Sequence, residues 1–458
     1  MRSIVIPLFF IVILLSGCAF NQDKPGYDIL LVWGQRQPDE PCLVWFVDPA
    51  QQIAEQALTE VDRCSFNVVT IGGVQHLIYK EYPNKIIIYD VDARNRKLTV
   101  QEVVTLHNIG DFFSWPQWDR EGNIYFDSAT PEGSERIYRE QIYRVDKETK
   151  TTTSFIRHEP GLAASPIISP DGRFLVYWTL DGPPNRNAGP NCPNWCAYGY
   201  YHVFDLEQHK DIPLLPFIRQ IREEQLAISH HENAVWSPTG QFLAFQRSVR
   251  GSGGIVIFDV RNSEIVADIP SDGGNDTEIV QWYSDNELIY IANRYFPELG
   301  YGLGRPFSYS LDSKASQELL PDLPSKSEDG YPHYFYQIYL PFKGDQLVGV
   351  ISGRTEGATI SLFIADLSQR PPRIDAFYSD NELPYVLFQG DPFQKLAGSM
   401  SGEWIAYQSI YSVIEDGSTI RDYADLHIMG MNGQLISISE GITGVLSHSL
   451  QYAWVQSR

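Results

Sequence analysis

Short apolar segments alternate with polar turns along most of the chain. One pattern recurs, in which a turn containing Gly or Asn leads into a run of β-branched and aromatic residues. Its copies are DREGNIYFD (119–127), SPDGRFLVY (169–177), SPTGQFLAF (237–245), YSDNELIYI (283–291), PFKGDQLVG (341–349) and SMSGEWIAY (399–407). Gly and Asn tolerate positive φ, and short apolar runs of this composition are typical of buried strands. Each copy therefore predicts a tight turn followed by a buried strand.

A second pattern follows each copy of the first: an apolar strand ending in Asp, a polar turn and a further strand. The Asp residues are Asp48, Asp90, Asp146, Asp205, Asp259, Asp312 and Asp366, and Met431 and Asn432 occupy the eighth position. We expect each Asp to cap the turn between two outer strands through an Asx-turn. A repeat of about 54 residues with four short strands is typical of a propeller blade. Since no segment shows a sustained helical period, the predicted fold class is all-β.

Together these patterns resemble the TolB-type, WD-like Pro-Asp β-propeller repeat, over nearly all of residues 27–458. The resemblance implies a single β-propeller of seven or eight four-stranded blades, and we prefer eight. TolB itself carries a separate N-terminal α/β domain, whereas in this chain the repeats begin at once. Its partner therefore cannot be transferred to this chain, because propellers serve many unrelated functions.

The two ends of the chain are expected to close the ring by pairing with each other. Residues 444–458 resemble inner strands without an outer hairpin, and residues 43–55 resemble an outer hairpin. Joining them would remove the exposed sheet edges. The strand predicted at 28–34 is then one more than four per blade requires, and this leaves the choice between seven and eight blades open.

The N-terminus has the features of a bacterial lipoprotein. Residues 1–17 have the length and order of a signal peptide, and Leu15-Ser16-Gly17-Cys18 resembles a lipobox. This predicts cleavage before Cys18, lipidation of Cys18 and a tether over residues 18–26. The expected location is the cell envelope: the outer membrane in a cell with two membranes, or the outer leaflet of the plasma membrane in a cell with one.

Four cysteines remain besides Cys18, an even number that suits an oxidising compartment. We expect the disulfides Cys42–Cys64 and Cys192–Cys196, although three connectivities are possible. A zinc site is the alternative, but this spacing lacks the two CxxC motifs that such sites favour.

Charge narrows the choice of partners. The chain has 35 Lys and Arg against 57 Asp and Glu, a formal net charge of −22, which argues against nucleic-acid binding because phosphates must be neutralised by basic residues. The expected partners are an envelope protein or a glycan, with the membrane contacted through the lipid anchor. No cofactor is expected.

Aromatic insertions suggest a binding face. The connections between the middle strands are predicted to carry insertions at 128–140, 181–199, 293–306, 352–359 and 409–424, all on one face, and loops on a rigid scaffold often bind ligands. The candidate binding residues are Trp195, Tyr198, Tyr200, Tyr295, Phe296, Tyr301, Tyr331 and Tyr334. Such residues offer rigid contact area, although they can also pack beneath their own loops.

Motifs for catalysis are sparse, so we expect a binding or scaffolding module and predict no catalytic residue. The chain contains no GxSxG, HExxH or P-loop sequence. The alternative is a propeller enzyme resembling oligogalacturonate lyases, a polysaccharide lyase or hydrolase with a divalent metal held by histidines in the axial channel. Its candidate ligands are His107, His158, His230 and His231, with His448 in a similar position. At least three imidazoles would have to converge for such a site.

Overall fold

The computed structural model is an all-β propeller built from antiparallel sheets. It describes residues 28–110, 113–129, 140–158, 162–180, 196–220, 234–249, 252–270, 277–296, 301–321, 333–339, 346–353, 360–369, 372–379, 397–399, 401–415, 419–431, 434–436, 442, 445–446 and 449–456. Within these residues there are eight sheets of four or five strands, which is consistent with the preferred eight blades.

The first four sheets follow one another along the chain. The first contains β1 (Asp28–Gly34), β2 (Cys42–Asp48), β3 (Ile53–Val61) and the last strand of the chain, β33 (Gln451–Gln456). The second contains β4 (Phe66–Ile71), β5 (Val74–Glu81), β6 (Lys85–Asp92) and β7 (Lys97–Thr105). The third contains β8 (Gln117–Trp118), β9 (Ile124–Ala129), β10 (Glu140–Val145) and β11 (Thr152–Ile156). The fourth contains β12 (Leu162–Ile168), β13 (Phe174–Leu180), β14 (Cys196–Asp205) and β15 (Lys210–Gln220).

The remaining four sheets repeat this order. The fifth contains β16 (Ala234–Trp236), β17 (Phe242–Val249), β18 (Ser252–Asp259) and β19 (Glu264–Pro270). The sixth contains β20 (Glu278–Ser284), β21 (Glu287–Phe296), β22 (Tyr301–Ser310) and β23 (Ala315–Glu318). The seventh contains β24 (His333–Tyr339), β25 (Gln346–Gly353), β26 (Ile360–Asp366) and β27 (Arg373–Ser379). The eighth contains β28 (Ala397–Gly398), β29 (Trp404–Glu415), β30 (Thr419–Gly430), β31 (Leu435–Ile436) and β32 (Val445–Leu446), which pairs with β30.

Each sheet has two distinct ends. Strands are counted here from the innermost to the outermost of each sheet. The end that carries the turns between the first and second strands and between the third and fourth strands is called the turn end; in the second sheet these turns are residues 72–73 and 93–96. The loop end is the opposite one, which carries the connection between the middle strands, residues 82–84 in the same sheet. In the first sheet, 49–52 lie at the turn end and 35–41 at the loop end.

Serine and glycine shape the first-to-second turns in the way that the repeated SPDG-like pattern predicts. In the fourth sheet, Ser169 Oγ accepts the backbone N–H of Phe174 (2.9 Å), and Gly172 N–H donates to the Ser169 carbonyl (2.8 Å). The φ of Gly172 is +70°, a conformation that favours glycine. Ser237 and Ser399 repeat the serine contact in the fifth and eighth sheets, at 3.1 Å each.

The Asp residues cap the outer turns at Asp48, Asp146, Asp205, Asp259 and Asp366, which confirms the predicted Asx-turns there. The assignment of Asp90 was wrong by two residues. The last residue of β6 is Asp92, whose Oδ1 accepts Asn95 N–H at 3.0 Å, whereas Asp90 lies within the strand and contacts His76 at 3.1 Å.

The sixth sheet corrects another of these assignments. There β22 ends at Ser310, whose Oγ accepts Ser313 N–H at 3.3 Å, so Ser310 takes the position expected for Asp312. Serine can make this contact because its hydroxyl accepts a backbone N–H as a carboxylate does. Asn432, in the eighth copy, lies outside the described residues.

Two of the predicted insertions are long hairpins rather than loops. Strands β21 and β22 remain paired to Phe296 and Tyr301, so 293–306 is mostly strand. Similarly, β29 and β30 pair from Trp404 to Glu415, which places most of 409–424 in the sheet. Continued pairing of the two strands lets their backbone N–H and C=O groups bond to each other instead of to water.

The two ends of the chain pair in the first sheet, as expected, but in a different way. Strand β33 alone is the innermost strand, and β1 lies between it and β2. Strand 28–34, which the sequence left unplaced, is therefore the second strand of the first sheet. Residues 445–446 instead belong to the eighth sheet. The strands β2 and β3 form the expected outer hairpin.

The core lies between successive sheets. Among the described residues, an apolar cluster lies between each pair of consecutive sheets from the first to the seventh. A further apolar cluster lies between the eighth sheet and the first. All seven residues of β1 are buried, since one of its faces packs on the second sheet and the other on the eighth. This burial on both faces explains the continuous apolar run ILLVW.

Tryptophans of the inner strands join neighbouring sheets. Three of them donate the indole N–H to a carbonyl on the inner strand of the preceding sheet. The pairs are Trp236 with Ile167 (3.3 Å), Trp282 with Val235 (3.0 Å) and Trp454 with Ala397 (3.0 Å). The last pair connects the C-terminal strand to the eighth sheet. The tryptophans near the repeated turns therefore have a structural role between sheets.

Candidate functional site

A cavity of about 490 Å³ opens at the turn end between the third and fourth sheets. Its volume falls in the range of small-molecule sites, about 300–1,000 Å³. Its lining is mainly charged and polar: Asp119, Arg120, Glu121, Asn123, Tyr125, Arg144, Phe155, Gly172, Arg173, Leu206, Glu207 and His209. We call it the turn-end cavity.

Asp119 organises the wall that the third sheet contributes. Its Oδ1 accepts the backbone N–H groups of Glu121 (3.0 Å) and Asn123 (2.8 Å). Its Oδ2 accepts the Asn123 amide (2.8 Å) and the Tyr125 hydroxyl (3.1 Å). Burial, and next the negative charge of Asp119, raise the pKa of Tyr125, so this hydroxyl remains a neutral donor.

The fourth sheet approaches this wall closely because of Gly172. The Arg120 N–H points at the Gly172 carbonyl (3.5 Å), and a Cβ at Gly172 would collide with the Arg120 backbone. Only glycine therefore allows the two turns to meet at this point. The same turn places Arg173 beside Asp205 (2.7 Å) and Glu207 (3.1 Å).

Two of the three arginines of the cavity are held by ion pairs. Arg120 pairs with Glu207, and Arg173 bridges Glu207 and Asp205. Burial is the largest single influence on Asp205 and would raise its pKa. The hydrogen bonds from Arg173 and from the backbone N–H groups of Gln208 and Glu207, together with the Arg173 charge, outweigh burial and lower the pKa. These pairs fix guanidinium donors next to carboxylate acceptors along one side of the cavity.

Arg144 is more weakly engaged than the other two. It lies near the end of β10, where its Nη2 is 3.6 Å from Asp146, longer than a good hydrogen bond. Its Nε is buried without a hydrogen-bond partner in the part of the chain that the structure describes. The side chain as a whole is about one-third exposed, so the Nη atoms, rather than the shielded Nε, are the donors that a ligand in the cavity can reach.

Sequence reasoning missed this cavity because it emphasised the loop end. The available signal was the basic residue inside or directly after two repeated turns, Arg120 in DREG and Arg173 in PDGR, in a chain that is otherwise acidic. Arg144, in the neighbouring strand, gave no comparable signal.

Six of the eight aromatic candidates for binding lie away from the cavity, on strand segments that lead to the loop end. Of Tyr198, Tyr200, Tyr295, Phe296, Tyr301 and Tyr334, the structure describes only the backbone, which is part of β14, β21, β22 and β24. Phe296 pairs with Tyr301 at the tip of its hairpin, and Tyr334 pairs with Ser352. Trp195 and Tyr331 lie outside the described residues.

The candidate metal ligands are not brought together in the described part of the chain. His107 donates its backbone N–H to Thr152 Oγ1 (3.3 Å) on β11, the outermost strand of the third sheet, rather than lying at the axis as expected. His158 follows that same outer strand. His230, His231 and His448 lie outside the described residues. Within the described ranges no group of three or more His, Cys, Asp or Glu side chains is arranged to hold a metal ion.

The cysteines are described in part. Cys42 and Cys64 form the predicted disulfide, with Cα atoms 5.1 Å apart. Only the backbone of Cys196 is described, and Cys192 and Cys18 lie outside the described residues. No helix in the described residues is long and apolar enough to cross a bilayer.

The loop end of the second sheet contains a buried lysine that the sequence did not reveal. Lys80 is only 6% exposed, and its Nζ donates to the Phe113 carbonyl at 3.0 Å. The Trp115 ring centre lies 4.2 Å from Nζ, and the rings of Phe113 and Tyr82 lie further away. Burial lowers the pKa of Lys80 to about 8, although the charge of Asp127 opposes this. A charged Lys80 thus costs stability near neutral pH.

Replacing this lysine is expected to change how stability depends on pH. Below pH 8 the Lys80 amine is protonated in both the native and the unfolded chain, so burial of the charged group lowers stability by its full amount. Between pH 8 and about 10.5 the native chain releases it first and wild-type stability rises relative to Lys80→Met. We expect the difference in unfolding free energy to shift by about 2.5 kcal/mol from pH 7 to pH 10, because the pKa of Lys80 is about 8 in the native chain and about 10.5 in the unfolded chain.

The measurement is urea unfolding of both proteins at several pH values. The difference between the two unfolding free energies removes the contribution of other groups that titrate in this pH range, because both proteins share them. Lys85→Met, at a half-exposed lysine of the same sheet, is the matched control and should show a constant difference. A constant difference for Lys80→Met as well would mean that Lys80 keeps an ordinary pKa.

Comparisons with known proteins add the fold only. No family model matches the chain, and no curated protein matches it. It is similar to a puromycin hydrolase S511A mutant complexed with PGG, with 13% identity and a TM-score of 0.46 over 86% of this chain and 58% of that one. It is also similar to TolB from Acinetobacter baumannii (14% identity, 85% of this chain, 81% of that one, TM-score 0.34).

A third similar structure is the β-propeller domain of the Trilobed protease from Pyrococcus furiosus, with 13% identity over 72% of this chain and 83% of that domain (TM-score 0.39). The chain spans only 58% of the length of the puromycin hydrolase. Likenesses as distant as these carry no information about activity or ligands, since one fold serves many functions.

Proposed function

We propose that this protein is a lipid-anchored propeller of the bacterial cell envelope that binds a hydroxyl-rich ligand, a glycan or a polar protein segment, in the turn-end cavity. The lipobox-like residues at 15–18 support the anchor. The propeller supports the scaffold, since its rigid sheets hold short turns at one end. The ligand class comes from the chemistry of the cavity.

The observation that carries this proposal is the alternation of donors and acceptors along the cavity wall. Three arginines and three carboxylates line it, so neither a strong anion nor a strong cation is matched by the lining as a whole. A hydroxyl both donates and accepts hydrogen bonds, so a polyol can satisfy neighbouring guanidinium and carboxylate groups at once. Phe155 and Leu206 add apolar surface for the carbon skeleton of such a ligand.

Two of the three carboxylates, Asp119 and Glu207, suit binding better than proton transfer. Both oxygens of Asp119 already accept hydrogen bonds from the protein, and Glu207 is held by Arg120 and Arg173. A general base needs a carboxylate that is free to take a proton from the substrate. The cavity therefore offers fixed hydrogen-bonding positions.

Arg144→Met is expected to weaken ligand binding at least tenfold without unfolding the protein. The loss of one charged hydrogen-bond donor costs about 1.5–3 kcal/mol, and each 1.4 kcal/mol corresponds to a tenfold change. A glycan array of neutral and acidic oligosaccharides would identify a ligand, and titration calorimetry would then measure its affinity for both proteins.

The matched control is Arg261→Met, which removes an exposed arginine of the fifth sheet at the same end of the molecule. Its affinity should stay within twofold of wild type. If Tyr295→Ala and Tyr301→Ala abolish binding while Arg144→Met does not, the site lies at the loop end. Absence of binding to every oligosaccharide on the array would contradict the glycan version of the proposal.

A further inference from the structure

The chain enters the propeller at the turn end. Asp28, the first residue of β1, pairs with Gln456 near the end of the chain. Its Oδ2 accepts the backbone N–H of Ser401 (3.2 Å), a residue in the first-to-second turn of the eighth sheet. Asp28 is buried and held between two sheets, so the point at which the chain enters the propeller is fixed.

The chain between the proposed anchor and this point is short. Nine residues, 19–27, separate Cys18 from Asp28. At 3.3–3.6 Å per residue, the ten steps from Cys18 to Asp28 span about 35 Å when fully extended.

That length is too small for the loop end to rest on the membrane. From Asp28 the chain would have to pass outside β2 and β3, two strand spacings or about 10 Å, and then run the length of a seven-residue strand, about 23 Å. This path of about 33 Å is nearly as long as the fully extended tether. Residues 35–41 extend beyond the strands at the loop end, so the chain would have to be longer still to reach a membrane there.

We infer that the membrane-anchored protein presents its turn end to the lipid headgroups, with the turn-end cavity on the membrane side and the aromatic connections of the loop end pointing away. This inference rests on the proposed lipidation of Cys18. It goes beyond that proposal because an anchor alone does not determine which end of the propeller meets the bilayer.

The surface of the turn end is suited to headgroup contact. Two of its isoleucines are unusually exposed, Ile53 by 40% and Ile265 by 48%, and each lies just after a third-to-fourth turn. Exposed basic residues stand beside acidic ones there, although the chain as a whole carries −22. These basic residues include Arg94, Lys97, Lys147, Arg261 and Lys314. Single basic side chains can pair with lipid phosphates, and isolated apolar side chains can enter the interface.

The test compares two labels in the first sheet. A photostable dye is attached through an azido amino acid at Ala50, in the exposed turn 49–52, or at Asp39, in the exposed connection 35–41. The acylated full-length proteins are reconstituted in phosphatidylethanolamine and phosphatidylglycerol vesicles that contain a headgroup-linked energy acceptor. We expect clearly higher transfer from position 50 than from position 39, because a strand length of about 23 Å separates the two ends.

Controls separate the orientation from the anchor. The same labelled proteins prepared from residue 19 onward, without the acylated cysteine, should not bind the vesicles, and binding that survives this change would overturn the proposed anchor. Inserting twenty Gly and Ser residues after Asp23 should bring the two transfer efficiencies together, because a longer tether removes the constraint. The proposed orientation would be overturned if the vesicle-bound protein with its natural tether showed energy transfer from position 39 equal to or higher than that from position 50.

Discussion

Deleting residues 451–458 is expected to abolish stable folding of the propeller. The deletion removes β33, the innermost strand of the first sheet, and exposes the edge of β1. It also removes three buried side chains, Tyr452, Trp454 and Val455. At roughly 1.5–3 kcal/mol for each, the lost burial is about 4.5–9 kcal/mol, comparable with the total stability of an ordinary domain.

Differential scanning fluorimetry and gel filtration would check this expectation. Deleting only Ser457 and Arg458 is the control and should leave the melting temperature unchanged. Trp454→Ala is the milder variant: it should lower stability by about 3–5 kcal/mol, because it removes a buried ring and the hydrogen bond to the Ala397 carbonyl. An eight-residue truncation that melts within 2 °C of wild type would show that the terminal pairing contributes little.

Loss of the Cys42–Cys64 disulfide is expected to lower the free energy of unfolding by about 3 kcal/mol. The bond joins two cysteines 22 positions apart, and cross-linking a loop of this length restricts the unfolded chain by about that amount. Both cysteines also contact the core between the first and second sheets, and Cys42 is fully buried. The double variant Cys42→Ala/Cys64→Ala, compared with wild type by urea unfolding, measures the effect.

Reduction provides the control for the disulfide. Under dithiothreitol the wild type should lose most of its advantage over the double variant, since the difference depends on the covalent link. A difference that persists in full under reduction would assign it to packing of the cysteine side chains instead. A double variant within 0.5 kcal/mol of wild type without dithiothreitol would contradict the expectation.

The repeat was readable from the sequence because its signals are local. The serine and glycine of SPDG meet within five residues, as Ser169, Gly172 and Phe174 do. The capping Asp residues contact N–H groups two or three positions away. Where two residue types can make the same contact, the assignment was wrong, as at Ser310 and Asp312.

The turn-end cavity was hidden for the opposite reason. Its lining comes from turns and strands spread from residue 119 to residue 209, and the approach of Arg120 to Gly172 depends on how two sheets pack. Lys80 is a similar case, since its burial depends on Phe113 and Trp115 of the next sheet. Nothing in the residues next to Lys80 indicates that its ammonium group is enclosed.

The sequence by itself determined the all-β class and the turn and strand pattern of the repeats, because these depend on residue types at short, regular spacing. It left three disulfide connectivities open, and the Cys42–Cys64 bond was established only in the folded chain. Only the tertiary structure decided that β33 is the innermost strand beside β1, and which charged groups share the turn-end cavity. Those features arise where segments distant in the chain pack together. Their geometry is set by burial and hydrogen bonding across sheets, which local composition does not encode.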